Sequence, residues 1–276
     1  MRGWILAATL LAASGAHAQQ WMSLPPTPTL PKADKSGYAP VNGIRIWYAQ
    51  FGRGEPLLFL HGGLGNSNYW GNQVRVFSSS YRVIVMDSRG HGRSTRDGRP
   101  YGYDLMASDV VALLDYLKID RVALVGWSDG AIIGLDIAMH HPERLSKVFA
   151  FAANIDPSGV SDASHSPVAN AFIARAGKEY AALSPTPKRY QSFLAEIEKM
   201  WSTQPHWTRA DFARITVPIW IADGDHDEMV NHDQPRTLAD WTPRAGLLIE
   251  PDVSHFAILQ DPEQFNHDLA HFLKSR

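Results

Sequence analysis

The feature that most constrains the fold of this chain is a short run of small residues placed between two apolar segments. The run is Gly-Trp-Ser-Asp-Gly, residues 126–130. The β-branched apolar segment 121–125 before it predicts a buried strand, and the apolar spacing over 131–140 predicts a helix packed on a sheet. A sharp strand-to-helix turn needs small neighbours around a central serine, and it presents that hydroxyl above the sheet. The run is therefore typical of a nucleophile elbow, with Ser128 as the candidate nucleophile.

The rest of the chain alternates between predicted strands and predicted helices. An Asn-Gly pair at 42–43 predicts a tight hairpin turn. Apolar runs over 56–60 and 81–86 are typical of central strands, and the spacing over 103–117 predicts a helix. Strands that alternate with helices predict an α/β fold with a mostly parallel sheet covered by helices on both faces.

Composition excludes several classes of function. None of the 276 residues is cysteine, which excludes disulfide bonds and a thiol nucleophile. A net charge of -2 gives no indication of a nucleic-acid partner or an acidic membrane surface, and the 12 histidines show no spacing of metal ligands. We therefore expect no metal, no cofactor, no nucleic-acid partner and no integral membrane span. The composition carries no signal for an oligomeric state.

The N-terminus has the pattern of an export signal. Arg2 supplies a positive charge, residues 4–13 are apolar, and Ala-His-Ala at 16–18 is typical of a cleavage site. The apolar run is shorter than the roughly 20 residues that span a bilayer. We expect residues 1–18 to be a signal peptide, so that the mature protein is periplasmic or secreted. Residues 19–40 carry repeated prolines, and we expect a flexible, extended segment there.

Several motifs carry a resemblance to a known family. They are His-Gly-Gly at 61–63, Asp-Ser-Arg-Gly-His-Gly at 87–92, the elbow at Ser128 and two C-terminal loops described below. With them, residues 41–276 resemble the α/β-hydrolase fold, and the elbow resembles that of the valacyclovir hydrolase and meta-cleavage hydrolase branch. The resemblance implies that an insertion at about 155–207 forms a small helical cap.

The candidate catalytic residues follow from what a serine nucleophile requires. A serine hydroxyl needs a base, and the base needs an orienting carboxylate. In the fold that this chain resembles, the order is serine, acid, histidine. The family pattern selects Asp227 as the acid, with Asp225 and Asp156 as alternatives. His255 is the only histidine between the last predicted strand and the last predicted helix, and it is the candidate base.

Two further roles involve the residue that follows the serine. The resemblance implies an oxyanion hole made by the backbone N–H groups of Asp129 and Gly63, with Leu64 as the alternative to Gly63. The Asp129 carboxylate has two interpretations. It could contact an amine of the substrate, or it could turn away and accept hydrogen bonds from neighbouring turn amides.

These features together predict a class of reaction. We expect an exported serine hydrolase that cleaves carboxylic esters, or related acyl bonds, of small molecules through an acyl-enzyme intermediate. Hydrolysis of a carbon–carbon bond or of an enol-lactone with the same triad is an alternative. A non-catalytic ligand-binding protein on a hydrolase scaffold is a second alternative, because fold does not imply function.

Overall fold

The fold is built on one mixed sheet of eight strands. The computed structural model describes residues 19–275, so the predicted signal peptide at 1–18 lies outside the described residues. The strands are β1 (Lys35–Val41), β2 (Ile44–Phe51), β3 (Glu55–Leu60), β4 (Tyr81–Met86), β5 (Val122–Trp127), β6 (Leu145–Phe151), β7 (Ile219–Gly224) and β8 (Ala245–Glu250). They lie in the order β1-β2-β4-β3-β5-β6-β7-β8. The pairs β1–β2 and β2–β4 are antiparallel and the other pairs are parallel.

Helices cover both faces of this sheet. They are α1 (Gly71–Phe77), α2 (Tyr103–Tyr116), α3 (Asp129–His140), α4 (Pro167–Leu183), α5 (Tyr190–Trp201), α6 (Arg209–Phe212), α7 (Gln234–Trp241), α8 (Ala257–Gln260) and α9 (Pro262–Lys274). Gly134 of α3 lies against Val148 of β6. Phe265 of α9 packs on the next residue, Phe149, with ring centroids 5.6 Å apart. Successive residues of a strand point to opposite faces of the sheet, so α3 covers one face and α9 covers the other. The predicted α/β architecture is therefore confirmed.

The first two strands form the predicted hairpin. Asn42 and Gly43 join them with φ angles of 48° and 81°, the left-handed conformation that this pair of residues tolerates. Strand β1 begins at Lys35, inside the segment that the prolines suggested to be flexible. Its buried residues Ala39 and Val41 belong to the core, which explains why residues 35–40 are ordered as a strand.

Residues 19–34 precede the sheet and form what we call the N-terminal strap. The strap contains one short 3-10 turn and is otherwise extended along the surface. Arg175 of α4 donates hydrogen bonds to the carbonyl of Leu24 at 2.8 Å and to that of the next residue at 2.6 Å. Trp21 stacks on His226 with ring centroids 4.3 Å apart. The strap therefore contacts both the cap and the C-terminal part of the sheet domain.

The insertion between β6 and β7 is helical, as predicted. Ser166 begins α4 by accepting a hydrogen bond from the N–H of Ala169 at 3.1 Å, and a proline follows in the first turn. Helix α5 buries one apolar face, formed by Phe193, Ile197 and Met200. Helices α4 and α5 pack on each other and form the cap.

Residues 19–275 contain neither a candidate membrane span nor a metal-ligand cluster. No helix in that range is both long and apolar enough to cross a bilayer. Within the same residues, no group of three or more His, Asp or Glu side chains has an arrangement that could hold a metal ion.

Candidate active site

The elbow places Ser128 in a strained turn at the carboxyl end of β5. Its φ and ψ angles are 55° and -121°, which are uncommon for a residue with a side chain. A Cβ on Gly126 would lie 2.3 Å from the carbonyl oxygen of Gly130, and one on Gly130 would lie 2.1 Å from that of Leu60. Only glycine fits at both positions. Packing therefore explains the two glycines that flank the serine in the sequence motif.

The loop after β7 supplies the carboxylate that contacts the candidate base. The Nδ1 atom of His255 lies 2.7 Å from Oδ2 of Asp227, and both side chains are buried. The other oxygen of Asp227 accepts hydrogen bonds from the backbone N–H groups of Met229 at 2.7 Å and Val230 at 2.8 Å. These bonds hold the carboxylate against the imidazole, so that Nε2 is the ring nitrogen left for a substrate or a serine.

The other two candidate carboxylates lie elsewhere. Asp156 accepts hydrogen bonds from the N–H of Ser158 at 2.7 Å and from its hydroxyl at 2.6 Å, which makes it a local cap. The side chain of Asp225 is 38% exposed, and its Oδ1 atom lies 3.9 Å from Nε2 of His226. The structure therefore brings Asp227 to His255, and brings neither of the alternatives there.

Buried charges set the protonation of this pair. Burial lowers the pKa of His255, but the negative charge and hydrogen bond of Asp227 outweigh it, and the net result is a pKa above the ordinary 6.5. Burial raises the pKa of Asp227, but the contact with His255 brings the net value below 3.8. Burial and the charge of Asp227 raise the pKa of the adjacent Asp223 well above its ordinary value. Asp227 therefore carries the negative charge of this carboxylate cluster.

Ser128 and His255 line two small cavities under the cap. The first, of about 70 Å³, also has Tyr103, Asn154 and Met229 in its wall. The second, of about 40 Å³, is bounded by apolar residues that include Phe172. In the described part of the chain, no hydrogen bond joins the Ser128 hydroxyl to His255; such bonds are often long before substrate binds.

The tryptophan inside the elbow motif holds the histidine loop. The indole Nε1 of Trp127 donates a hydrogen bond to the carbonyl of His255 at 2.8 Å. On the other side, Gln260 accepts a hydrogen bond from the N–H of Ser254 at 2.7 Å, and its amide donates to the carbonyl of Ser23 in the strap. The loop that carries His255 is therefore fixed from both directions. No local pattern of the sequence points to this role of Trp127, because its partner lies 128 residues away.

Both candidate donors of the oxyanion hole are near Ser128. Gly63 and Leu64 line the smaller cavity together with Ser128. Within residues 19–275, the N–H groups of Gly63, Leu64 and Asp129 donate to no protein acceptor. A Cβ on Gly63 would lie 2.4 Å from the Trp201 ring. A side chain at that position would force the Trp201 ring to move.

Asp129 connects the elbow to the cap. Its carboxylate accepts hydrogen bonds from the hydroxyl of Tyr103 at 2.8 Å and from Nε1 of Trp201 at 2.9 Å. Burial raises the pKa of Asp129 to about 6, although both donors act to lower it. Among residues 19–275, no backbone N–H donates to this carboxylate, and Asp129 lines the larger catalytic cavity. Tyr103 and Trp201 lie 26 and 72 residues from Asp129 in the sequence, so no local pattern points to them as its neighbours.

Comparison with known proteins gives a consistent assignment of the fold. A family model described as alpha/beta hydrolase fold matches residues 55–189. The chain is 27% identical to 3-oxoadipate enol-lactonase 2 of Acinetobacter baylyi (strain ATCC 33305 / BD413 / ADP1) over 251 residues, which cover 84% of this chain and 94% of the relative.

Two solved structures illustrate the same similarity. An N-acyl homoserine lactone degrading enzyme is 29% identical, with a TM-score of 0.68 and coverage of 86% of this chain and 100% of that one. A meta-cleavage product hydrolase from Pseudomonas fluorescens IP01 has a TM-score of 0.75 at 21% identity, and covers 87% of this chain and 97% of its own. The second likeness, at that identity, concerns the fold alone.

Proposed function

The chain has the α/β-hydrolase fold, and from that premise we propose that it is a serine hydrolase that cleaves carboxylic esters of small molecules. The observation that carries the proposal is the buried contact of 2.7 Å between His255 and Asp227, in a cavity that Ser128 shares. A histidine oriented by a buried carboxylate is the base that a serine hydroxyl requires. A protein that only binds a ligand does not require a histidine that is oriented in this way.

The proposed reaction has two halves. In the first, Nε2 of His255 takes the Ser128 proton while the oxygen attacks the ester carbonyl, and the N–H groups of Gly63 and Asp129 donate to the resulting oxyanion. The carbon–oxygen bond to the leaving alcohol then breaks, and the alcohol departs with the proton from His255. In the second half, water replaces Ser128 on the acyl carbon by the same steps. Asp227 stabilises the imidazolium ion each time.

The size of the two cavities favours small groups around the reacting carbon. Their volumes of about 70 Å³ and 40 Å³ hold short rather than long substituents. Lactones, which are cyclic esters, are a second substrate candidate, because both the enol-lactonase and the N-acyl homoserine lactone degrading enzyme are 27–29% identical to this chain. Carbon–carbon bond hydrolysis has weaker support, since the meta-cleavage hydrolase shares only the fold at 21% identity.

A fluorophosphonate probe tests whether Ser128 is a nucleophile. We expect the probe to label the wild-type protein and the Ser79→Ala variant, in which a surface serine is removed, but not the Ser128→Ala variant. A folded wild-type protein that stays unlabelled would instead favour the non-catalytic alternative. Rates with 4-nitrophenyl esters of increasing acyl length and with simple lactones then rank the substrate classes.

The proposed function includes export, which the sequence pattern of residues 1–18 supports. Expression of the full chain in a bacterium should deliver a protein whose first residue is Gln19 to the periplasm or the medium. Mass spectrometry of the fractions measures both properties. Retention of an uncleaved chain in the cytoplasm would contradict this part of the proposal.

The contact of Asp129 with a substrate amine also stays a proposal. The carboxylate lines the catalytic cavity, but it already accepts hydrogen bonds from Tyr103 and Trp201, with which an amine would compete. Comparison of Asp129→Asn with wild type on an aminoacyl ester and on the matching acyl ester tests it. A larger loss of kcat/KM for the aminoacyl ester supports the contact, and equal losses remove it.

A further inference from the structure

A large cavity lies beside the catalytic cavity and has a different chemical character. We call it the vestibule: a half-open cavity of about 600 Å³ between the loop 96–101 and the cap, where the loop before α5 and the C-terminal half of α5 form the other wall. Its volume is in the range of small-molecule sites. Nothing in the proposed mechanism uses it.

The vestibule carries an excess of positive charge. Four cationic side chains and two carboxylates line it, although the whole chain has a net charge of -2. Both carboxylates are already paired, Glu196 with Arg96 at 2.7 Å and Asp97 with Arg99 at 2.7 Å. The remaining cations are Arg189 and Lys199. These two have no carboxylate within 4 Å among the residues that the structure describes.

The walls of the vestibule are held in place. Arg96 reaches from the loop to α5, where it bonds to Glu196 and, at 3.1 Å, to the hydroxyl of Ser192. The next residue, Asp97, is bonded at 3.1 Å by the buried Arg89. The loop is therefore tied both to the cap and to the interior of the domain, so the cavity exists before any ligand binds.

The vestibule and the catalytic cavity meet at one side chain. Gln204 lines both of them, and its Oε1 accepts a hydrogen bond from the N–H of Tyr103 at 3.1 Å. Gln204 separates the two cavities, so a substrate with its carbonyl at Ser128 would reach the vestibule once this side chain turned aside. The end of that substrate would then lie near Arg189 and Lys199.

We propose that the vestibule binds an anionic group at the far end of the substrate, so that the preferred substrates are esters or lactones that carry a distal carboxylate. This rests on the proposed hydrolase activity. Arg189 and Lys199 attract the carboxylate, while Met200 and Tyr101 contact the apolar chain that links it to the reacting ester. The carboxylate of the substrate is kept away from Ser128, because Asp129 lines the wall there.

The test compares two chromogenic substrates that differ in one charge. The first is the 4-nitrophenyl monoester of a linear dicarboxylic acid, and the second is the same compound with its free carboxylate methylated. The double variant Arg189→Gln/Lys199→Gln should lower the preference for the charged ester, as a ratio of kcat/KM values, by about tenfold, because two solvent-exposed charge contacts are lost. A rise of KM for the charged ester should account for that change.

A control removes two cap and surface charges outside the vestibule. Lys178→Gln/Arg209→Gln should leave the preference unchanged, whereas rising salt should reduce it in the wild type. An unchanged preference in the vestibule variant, or an equal change in the control, would overturn the proposal. The monomethyl ester of the same dicarboxylic acid is also titrated into Ser128→Ala by calorimetry. If this ligand binds, and mutation of Arg189 and Lys199 weakens its binding, the result supports the proposal for the vestibule even if no ester is cleaved. Absence of binding counts against the proposal.

Discussion

We expect Glu250 to make the stability of this protein strongly dependent on pH. It is the last residue of β8 and is 1% exposed, and neither of its carboxylate oxygens has a hydrogen-bond partner within residues 19–275. Burial, followed by the negative charges of Asp268 and Asp261, raises its pKa from 4.5 to about 8. The perturbation that tests this environment is Glu250→Gln, which keeps the shape and removes the titration.

The sign and size of the effect follow from linkage. Below the unfolded pKa of 4.5, Glu250 is protonated in both states and has no effect on stability. As the pH rises from there to about 8, the unfolded chain has lost the proton while the folded chain retains it. The free energy of unfolding therefore falls by about 1.4 kcal/mol per pH unit, which amounts to about 3 kcal/mol at pH 7. Above the folded pKa the decrease stops.

Urea unfolding at several pH values between about 5 and 8 measures this effect. Because the variant does not titrate at this position, the stability of Glu250→Gln relative to wild type should increase across the series by about 3–4 kcal/mol. Any cost of burying the amide is independent of pH and does not alter the slope. Glu55→Gln, at an exposed position, should follow the wild type. Parallel curves for wild type and Glu250→Gln would refute the reasoning.

Three further predictions concern the base, a buried ion pair and the strap. The kcat/KM of ester hydrolysis should rise with pH through a pKa above 6.5, because His255 accepts a proton only when it is neutral and Asp227 stabilises its charged form. A pH profile that is flat from about pH 5 to 8 would contradict this prediction. Arg89→Met should lower the free energy of unfolding by about 3–5 kcal/mol, since it leaves Asp109 buried without the partner now 2.7 Å away. The double variant with Asp109→Leu should lose less, and an equal or larger loss would argue against an uncompensated charge. Arg175→Leu should speed proteolysis within residues 19–34 with little change in Tm, because the substitution removes two hydrogen bonds to the strap. Unchanged cleavage in these residues would show that other contacts hold the strap in place.

The local parts of this fold were predictable from neighbouring residues. The elbow at 126–130 needs glycine on both sides of Ser128 because backbone atoms only a few residues away, or on the adjacent strand, leave no space for a Cβ. The hairpin at 42–43 likewise depends on two residues that tolerate positive φ. Apolar runs indicated the central strands, since a strand covered on both faces has no polar side. Each of these sequence patterns spans only a few residues, which is why it can be recognised without the tertiary structure.

The remaining features depend on contacts between distant parts of the chain. Three carboxylates were candidates for the acid, and only the packing of the loop after β7 against the loop after β8 brings Asp227 to His255, 28 residues away in sequence. Trp201 meets Asp129 across 72 residues, and Arg175 meets the strap across about 150. A hydrogen bond between distant residues leaves no periodic pattern in either segment. The sequence alone therefore determined the sheet, the elbow and the chemical types at the site, while tertiary packing decided which side chains meet and how the cap closes over Ser128.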